Sequence, residues 1–373
     1  MAEVPLDERQ ALLVLNGLPG MGPVMMNRML AEFGGDPCAV LGASAEQLFA
    51  ITGVTRKAAD SVAHWPDFFD LAGEERRMGG ADCVFVSCRH PEYPPLLREL
   101  QDCPIGLYRQ GHYTCQDPCV AIVGSRRTTP YGLSVARSMA AGLAREGFCV
   151  VSGLALGIDA AAHEGALAAG GRTVAVLGTG IDTDYPPGNA GLRRRITGTG
   201  AVLSEFPFGR PADRQSFAMR NRIVSGMSRA VVVVESDVDG GSMITAGFAG
   251  DQGRILCAVP GRIDQPGSRG CHQLIREGAT LVTSVDEVLE ALQYLKGLDK
   301  VSLARAPSVR CVELSDEEQR VLRCFAGGEV LAVDHLVACL GEAAAGVGAT
   351  LMMLEVKGCV TRRRDGSYEA AVT

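Results

Sequence analysis

The chain has 373 residues, of which 47% are hydrophobic and 21% charged, so it can bury a sizeable core and disorder is excluded as its dominant state. Its length suggests two or three domains, and no run of about 18 apolar residues indicates a membrane span. The formal net charge is −7, yet residues 120–280 carry 17 basic and 13 acidic side chains and form the one positive segment. All of these basic residues are arginines, which suit phosphate groups, although a codon preference would produce the same bias.

The thirteen cysteines are scattered without the spacing of a disulfide framework or a zinc site. The first residues, MAEVP, are acidic and lack the basic start and apolar stretch of a secretory signal. We therefore expect a cytoplasmic protein with reduced thiols. We expect neither a metal site nor a cofactor.

Residues 1–70 alternate short helical patterns with glycine-containing turns at residues 15–23 and 51–55. They predict a small helical module similar to a SAM or helix-hairpin-helix domain. Glycines between short helices allow backbone N–H groups to face a phosphate. A helical packing module without a ligand fits the acidic surroundings equally well, so both interpretations stay open.

Residues 71–296 predict an α/β core with a Rossmann-like, mostly parallel sheet and helices on both faces. Residues 71–119 are its N-terminal extension, with one short strand at residues 83–86 and a proline-rich connection. Short β-branched runs then alternate with helical stretches, at residues 120–123, 149–151, 173–177, 201–203, 230–234 and 255–259. Ligands of such sheets bind at the carboxyl ends of the strands.

Several strand ends are followed by glycine, hydroxyl and arginine residues. Gly124-Ser125-Arg126-Arg127 follows the first run and lacks the GxGxxG pattern of a dinucleotide site. A glycine turn that leads with Ser and Arg into a helix still favours anions. Residues 152–157, 240–245 and 260–262 form similar turns. Residues 220–222 are predicted at the start of a helix, with one arginine facing the ligand and the other packed or paired. Together these turns predict an electropositive trough.

Three further polar residues are expected to shape this site. Asp159 is predicted to cap the helix after the second run, and His163 lies four residues later on the same helical face. Glu205 follows the fourth run. A lone Asp/His pair is more often a structural hydrogen bond than a catalytic dyad, and no nucleophile motif accompanies it. We therefore predict no catalytic residue.

Residues 297–314 predict a linker, and residues 315–373 predict three helices and a β-hairpin, the order of a winged helix. Ser315 and Glu318 have the spacing of a capping box, and Asp365-Gly366 is a hairpin turn. The wing arginines, residues 362–364, favour nucleic acid. The negative charge of the segment favours protein contacts, and the sequence leaves the choice open.

The motifs at the strand ends resemble the DprA/Smf family of DNA-processing proteins. The matching strings are GSRRTTPYG, SGLALGIDAAAH, GTGIDTDYP, SEFPFG, RNRIVSGMS, GGSMITA, AVPG and GCHQLIREGA. They cover residues 120–282 densely, and residues 93–97 and 106–108 are similar too. The sequence departs from the family where Ala218 and Met219 replace Pro and a basic residue, Gly241 replaces Ser, and His272 replaces Asn.

This resemblance implies a non-catalytic protein that binds single-stranded DNA without sequence preference and loads the RecA recombinase onto it, protecting incoming DNA in natural transformation. It also implies a homodimer through the core and a RecA contact near residues 262–279. The DNA-binding candidates carried over with these motifs are Gly124, Ser125, Arg126, Arg127, Ser152, Gly153, Arg220, Asn221, Arg222 and Ser242. Gly157, Gly241 and Thr245, from the glycine-rich turns, complete the predicted DNA-binding or phosphate-binding set.

Tyr185, Phe208 and Phe217 follow strand ends and are candidates for stacking on bases, although a Phe is more commonly a core residue. An enzyme that cleaves nucleoside monophosphates is an alternative, but its PGGxGTxxE motif is absent from the turn at residues 240–243. Two further alternatives are a nucleotide sensor that binds a mononucleotide between Gly124 and Gly153, and a regulator that binds duplex DNA through the winged helix.

Overall fold

A computed structural model describes residues 6–293, 314–325, 330–363 and 365–370. They form two compact units, one within Met1–Ala306 and one within Pro307–Thr373. Two parts of the prediction lie outside the described residues. They are residues 297–313 of the predicted linker and Arg364 of the wing. In the described ranges no single helix could span a membrane; two helices, Val333–Leu340 and Ala344–Val356, reach the required length and apolar character only as a pair bent by 114°.

The first part of the larger unit is helical. Its described helices are α1 Glu8–Gly17, α2 Pro23–Glu32, α3 Pro37–Leu41, α4 Ala45–Phe49, α5 Arg56–Ala63 and α6 Leu71–Gly80. Reciprocal capping boxes at Asp7 and Ser44 fix the starts of α1 and α4. The buried side chains of these helices share one core cluster with Phe85 and Tyr108, which lie on strands of the sheet. The predicted small module therefore packs directly on the sheet.

The centre of the unit is a sheet of nine described strands, β1 Cys83–Ser87, β2 Gly106–Gln110, β3 Cys119–Val123, β4 Cys149–Ser152, β5 Thr173–Leu177, β6 Ala201–Ser204, β7 Ala230–Val233, β8 Ile255–Ala258 and β9 Thr280–Leu281. Their order is β1-β2-β6-β5-β4-β3-β7-β8-β9. Strands β3 to β9 pair in parallel, and β1 and β2 are antiparallel additions. The mostly parallel sheet is confirmed.

Two strands were absent from the sequence prediction. Strand β2 contains Gly106, Arg109 and Gln110, and this mixed polarity hides a strand that pairs β1 on one side and β6 on the other. Strand β9 has only two residues, both exposed. Strand β9 is at the edge of the sheet, where burial imposes little pattern on the sequence. In β2 the first three residues are buried, and it is the polar pair Arg109 and Gln110 after them that hides the strand.

Helices cover both faces of the sheet. They are α7 Pro130–Arg145, α8 Ile158–Ala168, α9 Ala190–Thr199, α10 Arg214–Gly226, α11 Gly241–Asp251, α12 Arg269–Arg276 and α13 Val285–Gln293. Alternate side chains of β3 point into different layers: Val120 and Ile122 belong to one core cluster, and Ala121 and Val123 to another.

The start of α10 differs from the prediction. Asp213 accepts a hydrogen bond from the backbone N–H of Ser216, and the Ser216 side chain completes a capping box, so α10 begins at Arg214. Residues 220–222 consequently lie in the middle of the helix and not at its start. The Asp-x-x-Ser pattern before the arginines was the sequence signal for this earlier start.

The smaller unit is a winged helix, with α14 Asp316–Arg323, β10 Val330–Leu331, α15 Val333–Leu340, α16 Ala344–Val356, β11 Val360–Arg362 and β12 Tyr368–Ala370. It has its own core cluster, which includes Val321, Leu336, Leu351 and Tyr368. The capping box at Ser315 is present. The sequence pattern predicts a helix over residues 331–340, but α15 begins at Val333, and Leu331 pairs instead with Tyr368 in the three-stranded sheet.

Candidate nucleic-acid interface

The carboxyl ends of β3, β4 and β7 surround a cavity of about 860 Å³. The chain passes from β3 to β4–β6 on one side and returns to β7 on the other, so the cavity lies where the strand order reverses, the usual ligand site of such sheets. Eleven of the residues predicted at the site line it: Gly124, Ser125, Arg126, Arg127, Gly153, Asp159, Arg220, Asn221, Gly241, Ser242 and Thr245.

The loop between β3 and α7 is held rigidly by Glu235 at the end of β7. The backbone N–H of Ser125 donates to the Glu235 carbonyl oxygen at 2.7 Å. The Glu235 carboxylate accepts from the hydroxyl groups of Thr128 and Thr129 at 2.5 Å each and from the Thr129 N–H at 3.0 Å. Arg126 and Arg127 lie on this fixed loop and are exposed. Neither forms an ion pair within the described part of the chain.

Asp159 organises the loop after β4 and does not cap α8 as predicted. Its carboxylate accepts from the backbone N–H groups of Gly153 at 3.1 Å and Ala155 at 3.3 Å. The N-cap of α8 is Gly157, whose φ of 86° favours glycine. A Cβ atom on Gly157 would lie 2.4 Å from the Ser125 carbonyl oxygen, so the two loops touch. Burial raises the pKa of Asp159, and Arg220 acts in the opposite direction.

His163 lies outside the cavity lining, and its hydrogen-bond partner is not Asp159. Its Nδ1 is 2.7 Å from the hydroxyl of Thr173, which donates in turn to the Val150 carbonyl oxygen. Burial and the charge of Arg220 lower the pKa of His163 to about 3. The imidazole is therefore neutral and structural. Ser152 is also fully buried, and its hydroxyl donates to the Ile122 carbonyl oxygen at 2.6 Å.

The two arginines of the Arg-Asn-Arg motif have different surroundings. Arg220 borders the cavity, and its guanidinium donates to the carbonyl oxygens of Gly153 and Val176. Burial lowers the pKa of Arg220 to about 10, so the group stays charged at neutral pH.

Arg222 lies away from the cavity and pairs with Glu205 at 2.5 and 2.6 Å, with both side chains almost fully buried. Burial raises the pKa of Glu205, and Arg222 counteracts this effect. The position of Arg222 supports a structural role and not the predicted phosphate contact.

The N-terminus of α11 opens onto the cavity. The helix starts at Gly241 without a side-chain cap, so its first N–H groups and its dipole are available to an anion. Ser242 donates its hydroxyl to that of Ser236 at 2.8 Å. A Cβ atom on Gly241 would meet nothing within 4 Å, so the absence of the family's serine leaves open space in the wall.

The charge of the cavity is more mixed than the predicted trough. Arg214, the exposed first residue of α10, joins the lining and was not predicted, whereas Asp237 and Asp239 add negative charge near the start of α11. Arg126 and Arg127 lie on the β3–α7 loop. The positive side chains therefore come from the β3–α7 loop and from α10, and the two aspartates come from the loop before α11. No group of three or more His, Cys, Asp or Glu side chains in the described residues is arranged to hold a metal ion.

Phe217 lines the cavity and packs against Tyr185. The rings of Phe217 and Tyr185 have centroids 5.2 Å apart, and Tyr185 is 39% exposed. The guanidinium of Arg126 lies 5.3 Å from the Phe217 ring centroid. Phe208 instead packs edge-on against Tyr108 in the core cluster of the N-terminal helices, so its position does not support a role in stacking on bases.

Comparisons with known proteins agree with this architecture. A family model described as DNA recombination-mediator protein A matches residues 84–293, and one for the DprA winged helix domain matches residues 306–366. Protein Smf of Synechocystis sp. is 34% identical over 316 residues, which are 76% of this chain and 79% of that protein.

Two solved structures are similar to the chain. DNA processing protein A (DprA) from Streptococcus pneumoniae matches with a TM-score of 0.65 at 31% identity, over 77% of this chain and 98% of that one. DNA processing protein A from Helicobacter pylori, solved to describe its single-stranded DNA binding mode, matches with a TM-score of 0.52 at 30% identity, over 57% and 96% of the two chains. The chain therefore belongs to the DprA/Smf family of DNA-processing proteins.

Proposed function

We propose that this protein binds single-stranded DNA in the cavity at the ends of β3, β4 and β7 and loads the RecA recombinase onto the strand. It would thereby protect and process incoming DNA in natural transformation and recombination. The observation that carries the proposal is the pair of exposed arginines, Arg126 and Arg127, on a rigid loop of the cavity that also holds the uncapped N-terminus of α11. The relative from Helicobacter pylori, which binds single-stranded DNA, supports the same ligand.

The geometry favours contacts that do not depend on base sequence. Arg126, Arg127 and Arg214 are placed to bind phosphates, together with the first turn of α11. Phosphate contacts carry no sequence information. A base would stack on the Phe217 ring beside Arg126, and stacking tolerates every base.

The proposed role is that of a mediator and not of an enzyme. Asp159 is engaged by two backbone N–H groups, His163 is neutral and buried, and Glu205 is paired with Arg222. None of these three groups is free to act as a nucleophile or a general base at the cavity. A recombinase partner also implies a cytoplasmic location.

The proposed homodimer forms through the core, and the proposed RecA contact lies near residues 262–279. Ile263 is 91% exposed there, and α12 starts shortly after it. Single exposed apolar side chains are common on protein surfaces, so Ile263 by itself does not identify the contact, and the proposal rests on the family resemblance.

The test is fluorescence anisotropy of labelled oligo-dT and of a matching duplex across a salt series, with wild type, Arg126→Ala and the control Arg145→Ala. Arg145 is an exposed arginine at the far end of α7, outside the cavity, so both variants lose the same charge. We expect preference for the single strand. We also expect Arg126→Ala to weaken binding and reduce the salt slope by about 0.7, the contribution of one phosphate contact.

Equal weakening by Arg126→Ala and Arg145→Ala would remove the cavity as the site. Competition by free mononucleotides with full displacement of oligo-dT would favour the nucleotide-sensor alternative. If single-stranded binding holds, RecA filament formation on strands coated with a single-strand-binding protein tests the loading step. No acceleration by the wild type would refute that part alone.

A further inference from the structure

Helix α16 of the winged helix is apolar on both its buried and its exposed side. Val347, Leu351 and Leu354 face the core of the unit. A second set, Ala345, Ala349, Met352 and Val356, is exposed, and spacings of four, three and four positions place it on one stripe. Met352 is 66% and Val356 78% exposed. A helix that is apolar all round is normally covered on both sides.

Nucleic acid does not fit this stripe. Helix α16 contains no lysine or arginine, and its one charged residue is Glu355. Residues 315–373 carry nine acidic and six basic side chains, whereas DNA binding depends on neutralising phosphates. The two described wing arginines already make contacts within the chain. Arg362 lies over the Tyr368 ring, and Arg363 forms an ion pair with Glu369 at 3.4 Å.

The stripe is complementary to itself. Two copies of α16, placed antiparallel about a two-fold axis between positions 350 and 351, bring Ala349 opposite Met352 and Ala345 opposite Val356. Each alanine then faces a larger side chain of the other helix, so the larger side chains fit into the space above the alanines and the two helices can pack closely.

The charges are complementary in the same arrangement. Glu355 of one copy comes beside the first turn of the other helix. That turn has no side-chain cap, since the N-cap residue is Ala343. Gly346, which comes opposite Glu355, already donates its N–H to the Ala343 carbonyl oxygen, so it is the positive end of the helix dipole that stabilises a carboxylate at this position.

We propose that α16 pairs antiparallel with α16 of a second copy of this chain. A 13-residue helix is about 20 Å long, and one of its faces buries less than the roughly 800 Å² per partner of a standard interface. The contact is therefore weak by itself and depends on protein concentration. This consequence rests on the proposed DNA binding: the pairing would join copies whose cores each hold a segment of DNA, and so assemble several molecules along one DNA strand.

Position-specific photo-crosslinking tests the proposal directly. A photoreactive phenylalanine analogue at position 352 is introduced into the full-length chain, and ¹⁴N and ¹⁵N protein are mixed so that mass spectrometry separates links between copies from links within one. We expect links between copies that map to residues 345–349. Links between copies that map elsewhere, or links within one copy only, would overturn the proposal.

Charged variants test the pairing register. Met352→Glu and Ala349→Lys should each weaken concentration-dependent self-association by about tenfold or more in sedimentation velocity, and Gln319→Glu on the exposed side of α14 should not. An equimolar mixture of the two single variants should associate again, because the ammonium introduced at position 349 of one copy then faces the carboxylate introduced at position 352 of the other. Helical circular dichroism confirms that each variant is folded. Unchanged association in the single variants, or a mixture no better than its components, would refute the antiparallel pair.

Discussion

Removal of Arg222, the arginine of the Arg-Asn-Arg motif that lies away from the cavity, should destabilise the protein without weakening DNA binding. Arg222 donates to both oxygens of Glu205 at 2.5 and 2.6 Å, with Asp102 3.4 Å from its Nε, and the paired side chains are 4% and 6% exposed. Arg222→Ala leaves the Glu205 carboxylate buried without its cation. Loss of one partner of such a pair costs about 3–5 kcal/mol, and at roughly 2–4 °C per kcal/mol for a large domain the melting temperature should fall by roughly 6–20 °C.

The assay is urea unfolding followed by circular dichroism, with oligo-dT anisotropy measured well below the melting temperature. Without Arg222 the pKa of Glu205 rises further and the carboxyl takes up a proton, so the loss of stability should be smaller at pH 5 than at pH 8. The double variant Arg222→Met with Glu205→Leu should recover most of the stability. A full-stability Arg222→Ala protein that has lost its affinity for DNA would show that this arginine is a ligand contact and would refute the structural assignment.

Other predictions concern the cavity wall and the buried imidazole. Phe217→Ala should weaken oligo-dT binding by about 1–3 kcal/mol if it removes one stacked base; equal affinity in anisotropy would exclude the ring from the interface. Gly153→Ala should weaken binding because its Cβ would lie 2.5 Å from the Arg220 guanidinium and displace it; unchanged affinity in the same titration would show that this guanidinium is not needed. Gly241→Ser should leave the melting temperature unchanged, since its Cβ meets open space, and should strengthen oligo-dT binding if the added hydroxyl reaches a phosphate. The pKa of His163, about 3 in the fold against 6.5 in an unfolded chain, predicts full stability above pH 6.5 and a loss of about 1.4 kcal/mol per pH unit below it; urea titrations of His163→Gln should lack this slope, and an identical slope would show that another group causes it.

Local patterns predicted the sheet because the strands of the core are short, buried on both faces and separated by glycine turns. The six predicted runs each correspond to a strand from β3 to β8 within one residue at either end. The turns after β3 and β7 could also be placed, since the carboxyl ends of parallel strands necessarily lie on one edge.

The exposure of each side chain could not be predicted from the same patterns. Arg220 and Arg222 are two positions apart, and the sequence alone does not reveal that Arg222 forms a buried ion pair with Glu205. Phe208 and Phe217 likewise follow strand ends. Phe208, however, packs edge-on against Tyr108 of β2, a strand that was not predicted, and is partly buried there. These outcomes depend on contacts between residues far apart in the chain.

The anchoring of the β3–α7 loop by Glu235 bears on how quickly a ligand is captured. The loop is tied to the neighbouring strand by four hydrogen bonds, so the binding-competent arrangement exists before the ligand arrives and little ordering entropy is lost at the encounter. Capture should then proceed in a single kinetic phase whose rate rises linearly with ligand concentration, without a slow rearrangement afterwards. Differences in affinity for single-stranded DNA should therefore come mainly from the rate at which the DNA dissociates.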